Sequence, residues 1–231
     1  MEIAVVAIIL VSVMLLKYVF KIDFNKAEKL NENKELEELT DKFPENVQIA
    51  KEMLEMLGNN KVKVEEAKNT QTSLYIAVTD KISIADMKNN YARVQTIAHE
   101  CMHSVQDRRL LLFNFIFSNI NILYLIIISI LTLTKTVQDT MLQIFVLTMF
   151  ATIKFAVRGF LEIEAMTKSK YLAKEYIESK NILTKEEEKN LLEKYDEINK
   201  LGVPFMSVRI LTGSLCGILV YAIIACLVNF M

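Results

Sequence analysis

The stretch His99-Glu100-Cys101-Met102-His103 holds both histidines of the chain. On a helix, residues i and i+4 project from one face, so the two imidazoles can hold one Zn²⁺ while Glu100 addresses the water that the metal activates. That chemistry is metal-assisted hydrolysis, with a carboxylate as general base beside a Lewis acid. Two histidines buried for packing alone would not need to share one helix face with a Glu between them. A catalytic zinc keeps three protein ligands and one water. With no third histidine in the chain, the three-histidine metzincin arrangement is excluded, and the remaining donors are thiolate or carboxylate. Cys101 points about 180° around the helix from the midpoint of His99 and His103, which leaves a downstream acid as the expected third ligand.

The elements that must bring such an acid back are marked by the distribution of charge. Apolar residues make up 52% of the chain and charged residues 24%, and the two are segregated. Outside residues 21–109 and 158–209, the only Lys or Arg residues are Lys17, Lys135 and Lys154. A bilayer core of about 30 Å needs roughly 20 apolar residues of helix, and residues 3–20, 110–133, 141–157 and 210–230 fit that length. The third is the shortest, and Lys154 sits near its end, where a long stem can carry the ammonium to the interface. Met1-Glu2-Ile3 opens the first segment without a positive n-region, and no small-x-small cleavage site follows, so the segment reads as a span and not as a secretory signal.

Lys17 near the end of the first span, and Lys21, Lys26 and Lys29 after it, place residues 21–109 in the cytoplasm by the positive-inside rule. Arg108, Arg109 and Arg158 flank the same side of the hairpin made by the second and third spans. The expected organisation is therefore a transmembrane helix at 1–20, a cytoplasmic segment at 21–109, transmembrane helices at 110–133 and 141–157, a cytoplasmic helical hairpin at 158–205 and a last transmembrane helix at 206–231. This is a predominantly α integral membrane protein with about four transmembrane helices. Membrane lipid is the expected surrounding, while a net charge of -1 gives no basic excess for nucleic acid. Three cysteines, one in a cytoplasmic segment and two within the last span, do not make a disulfide scaffold.

Within the cytoplasmic parts, residues 46–57 carry apolar positions at helical spacing and stop at Gly58. Val62 and Val64, then residues 73–78 and 82–84 around Thr79-Asp80-Lys81, predict a small sheet or hairpin. From Met87 the apolar period becomes helical, and no Gly or Pro occurs until Gly159. The motif helix is thus expected to run unbroken into the second span, placing His103 about 10 Å from the membrane boundary at 1.5 Å per residue. The third span continues as helix to about Lys180, and Thr184 with Glu187 forms a capping box that opens a charged helix ending near Gly202 and Pro204. Glu162 and Glu164 then stand at a depth matching His99 and His103 on the returning arm.

The segment Ala98-His99-Glu100-Cys101-Met102-His103-Ser104-Val105-Gln106 resembles the HExGHAxQ stretch of bacterial membrane-bound neutral zinc metallopeptidases of the YugP type. Glu162-Ile163-Glu164-Ala165 is similar to the family's Glu-Phe-Asp-Ala segment, and Arg158, Glu162 and Ala165 echo the Arg-x-x-x-Glu-x-x-Ala-Asp segment of HtpX-type proteases. Met102 stands where the family has Gly, Glu164 where it has Asp, and Met166 where the HtpX-type segment has Asp. The resemblance implies a small zincin-like α+β cytoplasmic domain, Zn²⁺ held by His99, His103 and Glu162, and Glu100 as catalytic base. It further implies a bacterial membrane, while the expected closeness of His103 to the membrane boundary points to peptide or membrane-protein substrates at the cytoplasmic face. The β-prone run before the motif would pair with an extended substrate, Glu164 would orient a ligand, and Arg158 or Tyr171 would stabilise the oxyanion. The alternative is a catalytically silent membrane scaffold with a structural or vestigial metal site.

Overall fold

Long apolar runs and a few capping side chains set the element boundaries. The computed structural model describes residues 1–20, 33–67, 70, 72–87 and 90–230. In chain order the elements are α1 (Glu2–Val19), α2 (Lys34–Asp41), α3 (Asn46–Met56), β1 (Lys63–Ala67), β2 (Leu74–Ile76), β3 (Lys81–Ala85), α4 (Arg93–His103), α5 (Arg108–Leu133), α6 (Thr140–Lys180) and α7 (Lys185–Phe230). The chain is predominantly helical with one small sheet. Among the described residues, α5, α6 and α7 are long and apolar enough to cross a membrane, and α1 is a shorter apolar helix. Lys21, Lys26 and Lys29, on which the expected orientation partly rests, lie outside the described residues.

The chain divides into two compact units. Met1–Ile22, Phe113–Phe160 and Pro204–Met231 make one; Asp23–Leu112 and Leu161–Val203 make the other. In the first, a helical bundle, Ile9, Ile128, Ile144, Leu147, Ile218 and Tyr221 form the interior. Ile116, Ile120, Leu123, Ile127, Ile130, Leu142 and Phe145 point outward, an apolar exterior of the kind that lipid covers and water does not.

The second unit carries the sheet, in the order β1-β3-β2, with β1 parallel and β2 antiparallel to β3. Ile82 and Ile84 of β3 pack with Ile49, Met53 and Leu54 of α3, Val94, Ile97 and Cys101 of α4, and Ala173, Tyr176, Leu191 and Tyr195 of α6 and α7. β2 is an edge strand, as is β1. The capping box is present: the Glu187 N–H donates to Thr184 Oγ1 at 3.2 Å, and the Thr184 N–H donates to Glu187 Oε2 at 2.7 Å. α2 has no counterpart in the sequence reading. Its signal is Asn33, whose Oδ1 accepts the Leu36 N–H at 3.2 Å, followed by Leu36 and Leu39, both buried.

Three boundaries differ from expectation. Helix from Met87 is expected, but α4 opens only at Arg93, after the Asn90 side chain accepts the Ala92 N–H at 2.8 Å. α4 also does not continue into α5: it stops at His103, and α5 starts at Arg108. In a continuous helix the Ser104 carbonyl would accept the Arg108 N–H, but Asn59 Nδ2 donates to that carbonyl at 3.0 Å, while Asp107 Oδ1 accepts the Arg109 N–H at 2.8 Å and starts a new helix. Conversely, α7 is continuous across Gly202 and Pro204, where the sequence places an end. Proline removes one backbone donor, but Leu191 and Tyr195 before it and Ile210 and Ser214 after it are buried, so packing on both sides holds the helical register.

Candidate metal centre

α4 presents His99 and His103 on one face, as the i, i+4 spacing requires, and α6 presents Glu162 to them. His99 Nε2 and His103 Nε2 lie 3.1 Å apart, and Glu162 Oε2 is 3.4 Å from the first and 3.8 Å from the second. Each of the three side chains is more than four-fifths buried. The rings meet edge to face, with centroids 4.6 Å apart. Three atoms that bear lone pairs therefore converge, which requires a proton or a cation among them. A tetrahedral centre with bonds of about 2.0–2.1 Å places its ligand atoms about 3.3 Å apart, so this cluster fits a zinc ion in both donor type and spacing. Among the described residues, His99, His103 and Glu162 form the one cluster of this kind.

Glu100 is 7% exposed and turned toward the sheet, where its Oε2 accepts the Tyr75 N–H at 2.7 Å. Tyr75 lies on β2 opposite Ile82 of β3. Because its N–H reaches Glu100, it points out of the sheet, and the free edge of β2 faces the motif helix. Burial pushes the Glu100 carboxyl above its ordinary value, against the imidazoles of His99 and His103 and the Tyr75 N–H, which pull it down. Burial would also raise Glu162, but contacts from His103 and His99 outweigh it and hold that carboxyl well below the usual range. For His103, burial disfavours the charged ring, while Glu162 and Glu100 favour it more strongly and raise the pKa.

Glu164, expected to orient a ligand, does not touch the imidazoles. Its Oε2 accepts from Gln106 Nε2 at 2.9 Å, and Gln106 in turn meets His103 Nδ1 at 2.7 Å through Oε1. Gln106 enters from the sequence only as a motif match, and two of its partners, the Leu161 carbonyl and Glu164, lie on α6. The Tyr75 N–H is also missed, because a backbone group carries no residue signature. Cys101 is fully buried against the Ala50 carbonyl, away from the cluster. Of the two oxyanion candidates, Tyr171 is 62% exposed and sits under the Lys170 ammonium, two and a half turns along α6 from Glu162. Arg158 belongs to the bundle unit. Tyr171 is not part of the cluster.

Comparison of the chain with protein-family models, with curated proteins and with solved structures finds no match.

Proposed function

We propose that this chain is a membrane-bound zinc metallopeptidase in which His99, His103 and Glu162 hold the metal and Glu100 is the general base. The observation that carries the reading is the convergence of two imidazoles and a carboxylate from separate helices, with a second, buried carboxylate adjoining the first histidine. Zinc bound there supplies a Lewis acid that polarises a peptide carbonyl and brings the pKa of water from about 15.7 toward roughly 7. Glu100 accepts the proton of the attacking water and delivers it to the departing amine nitrogen. The Tyr75 N–H fixes Glu100 Oε2, so the base keeps its orientation between turnovers. Pairing of an extended peptide along β2 cannot use the Tyr75 N–H, because that donor already serves Glu100.

The membrane enters the reading through chain continuity. α5 begins five residues after His103, and Glu162 lies on the same helix as a candidate span. Substrates are then segments of membrane proteins or unfolded chains at the cytoplasmic face, which the Lys and Arg distribution assigns to residues 21–109 and 158–209. The resemblance to YugP-type peptidases in residues 98–106 and 162–165 points the same way.

Detergent-purified protein is expected to carry one zinc per chain and to cleave casein or itself. Glu100→Gln should keep the metal and lose hydrolysis by about 10²- to 10⁴-fold. Protein that neither contains nor takes up zinc would overturn the reading. Stoichiometric zinc in a wild-type protein that hydrolyses no peptide would favour the silent scaffold.

A further inference from the structure

We infer that Gln106 is a positioning residue that fixes His103 in the ring tautomer able to bind a metal, and that Glu164 and the Leu161 carbonyl lock Gln106 for that task. The inference rests on the metal-site reading of His99, His103 and Glu162, and deepens it.

A glutamine amide has one accepting end and one donating end. The donating end of Gln106 is fully used, since Nε2 reaches the Leu161 carbonyl at 2.8 Å and Glu164 Oε2 at 2.9 Å. Both partners can only accept. Turning the amide over would aim its carbonyl at another carbonyl and a carboxylate, three acceptors facing one another, so the orientation is decided by the network. Oε1 must therefore face His103 Nδ1, at 2.7 Å. An amide oxygen cannot donate, so Nδ1 carries the hydrogen. In the neutral ring this leaves Nε2 bare, and Nε2 is the atom that faces His99 Nε2 and Glu162 Oε2. A free imidazole side chain in water favours the opposite tautomer, with hydrogen on Nε2, so Gln106 reverses an intrinsic preference.

The turn that ends α4 makes this reach possible. The Gln106 N–H returns to the His103 carbonyl at 3.3 Å, which places the amide back over the ring. The locking groups, Leu161 and Glu164, flank Glu162 on α6, so the arm that delivers the third ligand also sets the tautomer of the second. Glu164 is itself tethered, with Oε1 accepting from Lys168 Nζ at 2.6 Å. One docking event thus completes the ligand set and readies it, and an undocked α6 leaves His103 with neither its carboxylate neighbour nor its tautomer fixed.

With only two histidines in the chain, ¹⁵N spectra of histidine-labelled, metal-free full-length protein in detergent resolve each ring. At a pH where both rings are neutral, His103 is expected as Nδ1–H in the wild type and predominantly Nε2–H in Gln106→Leu. Zinc affinity, measured by competition with a chelator, should fall about 10- to 100-fold in Gln106→Leu. Glu164→Leu should weaken it less. Glu164→Gln, whose amide oxygen still accepts from Gln106, should restore near wild-type affinity. Glu164 lies at the surface end of the network, so its two variants decide the case if Gln106→Leu fails to fold. Persistence of the Nδ1–H form in Gln106→Leu, or equal zinc affinity in Glu164→Leu and Glu164→Gln, would overturn the inference. Failure of the wild type to bind zinc overturns the metallopeptidase reading instead, and the metal-free spectra still decide the tautomer.

Discussion

Glu100 and Glu162 carry the same side chain with opposite acid–base tendencies. Burial dominates for Glu100, whereas the two imidazoles dominate for Glu162. In the proposed mechanism such a split suits one carboxylate to proton traffic and the other to charge compensation. If the proposed zinc site is right, Glu162→Ala should remove a ligand outright. Its zinc affinity, read by chelator competition, is expected to fall by more than the roughly 100-fold that loss of an outer hydrogen bond costs. Retention of wild-type affinity in Glu162→Ala would mean that another donor completes the site.

The helix that carries the motif is anchored at its first residue. Arg93 is 1% exposed and donates through Nη1 to the Pro44 carbonyl at 3.0 Å and Asn46 Oδ1 at 2.9 Å, and through Nη2 to the carbonyls of Thr40 at 2.6 Å and Phe43 at 2.9 Å. Four acceptors between α2 and α3 are satisfied by one guanidinium. The Thr40 carbonyl also accepts the Phe43 N–H, so Arg93→Met strands the other three and should cost on the order of 3 kcal/mol or more in unfolding free energy, since each orphaned buried group costs about 1–3 kcal/mol. Arg93→Lys should recover only part, because one ammonium lacks the planar fork. Denaturant titration of the two variants measures both effects.

α3 and α6 are tied in a different way. Glu52 accepts from Lys180 Nζ at 2.8 Å, Tyr176 Oη at 2.5 Å and Gln48 Nε2 at 3.1 Å. Burial would raise its carboxyl pKa, but the bond from Lys180, followed by those from Tyr176 and Gln48, outweighs that and lowers it. A depressed folded pKa gives stability that is complete above the unfolded value, about 4.3, and is lost as pH falls through the folded value. The melting temperature should therefore decline below about pH 4.3, and Glu52→Gln should show a shallower decline while being less stable at neutral pH. Parallel pH profiles of wild type and Glu52→Gln would show no link if they kept a constant offset.

Among the described residues, three helices are long and apolar enough to cross a bilayer, and a second unit has its own core. The proposed orientation rests on the Lys and Arg distribution. In a background without Cys101, Cys216 and Cys226, a cysteine at the exposed Gln138 should react with impermeant maleimide from outside intact cells. One at the exposed Lys189 should react only after lysis. The reverse pattern would place the cluster on the other face and contradict the charge rule.

Features that depend on neighbours within a few residues were legible in the sequence: the two imidazoles on one helix face, the Thr184–Glu187 box, the end of α6 at Lys180, the turn at Asp80 and the apolar runs. Each is a local matter of period, capping or composition, which the chain carries wherever the rest of it goes. The break between α4 and α5 was not legible, because the donor that ends α4 is Asn59, and the continuity of α7 through Pro204 depends on what packs on either side. The partner of Gln106 lies 58 residues away. Sequence placed Glu162 and Glu164 side by side as candidates at one depth, and a motif comparison favoured the first. Only the tertiary structure decided the matter physically, since successive residues of a helix point 100° apart. In that geometry Glu162 meets the imidazoles, and Glu164, two residues on, meets the amide that holds one of them in place.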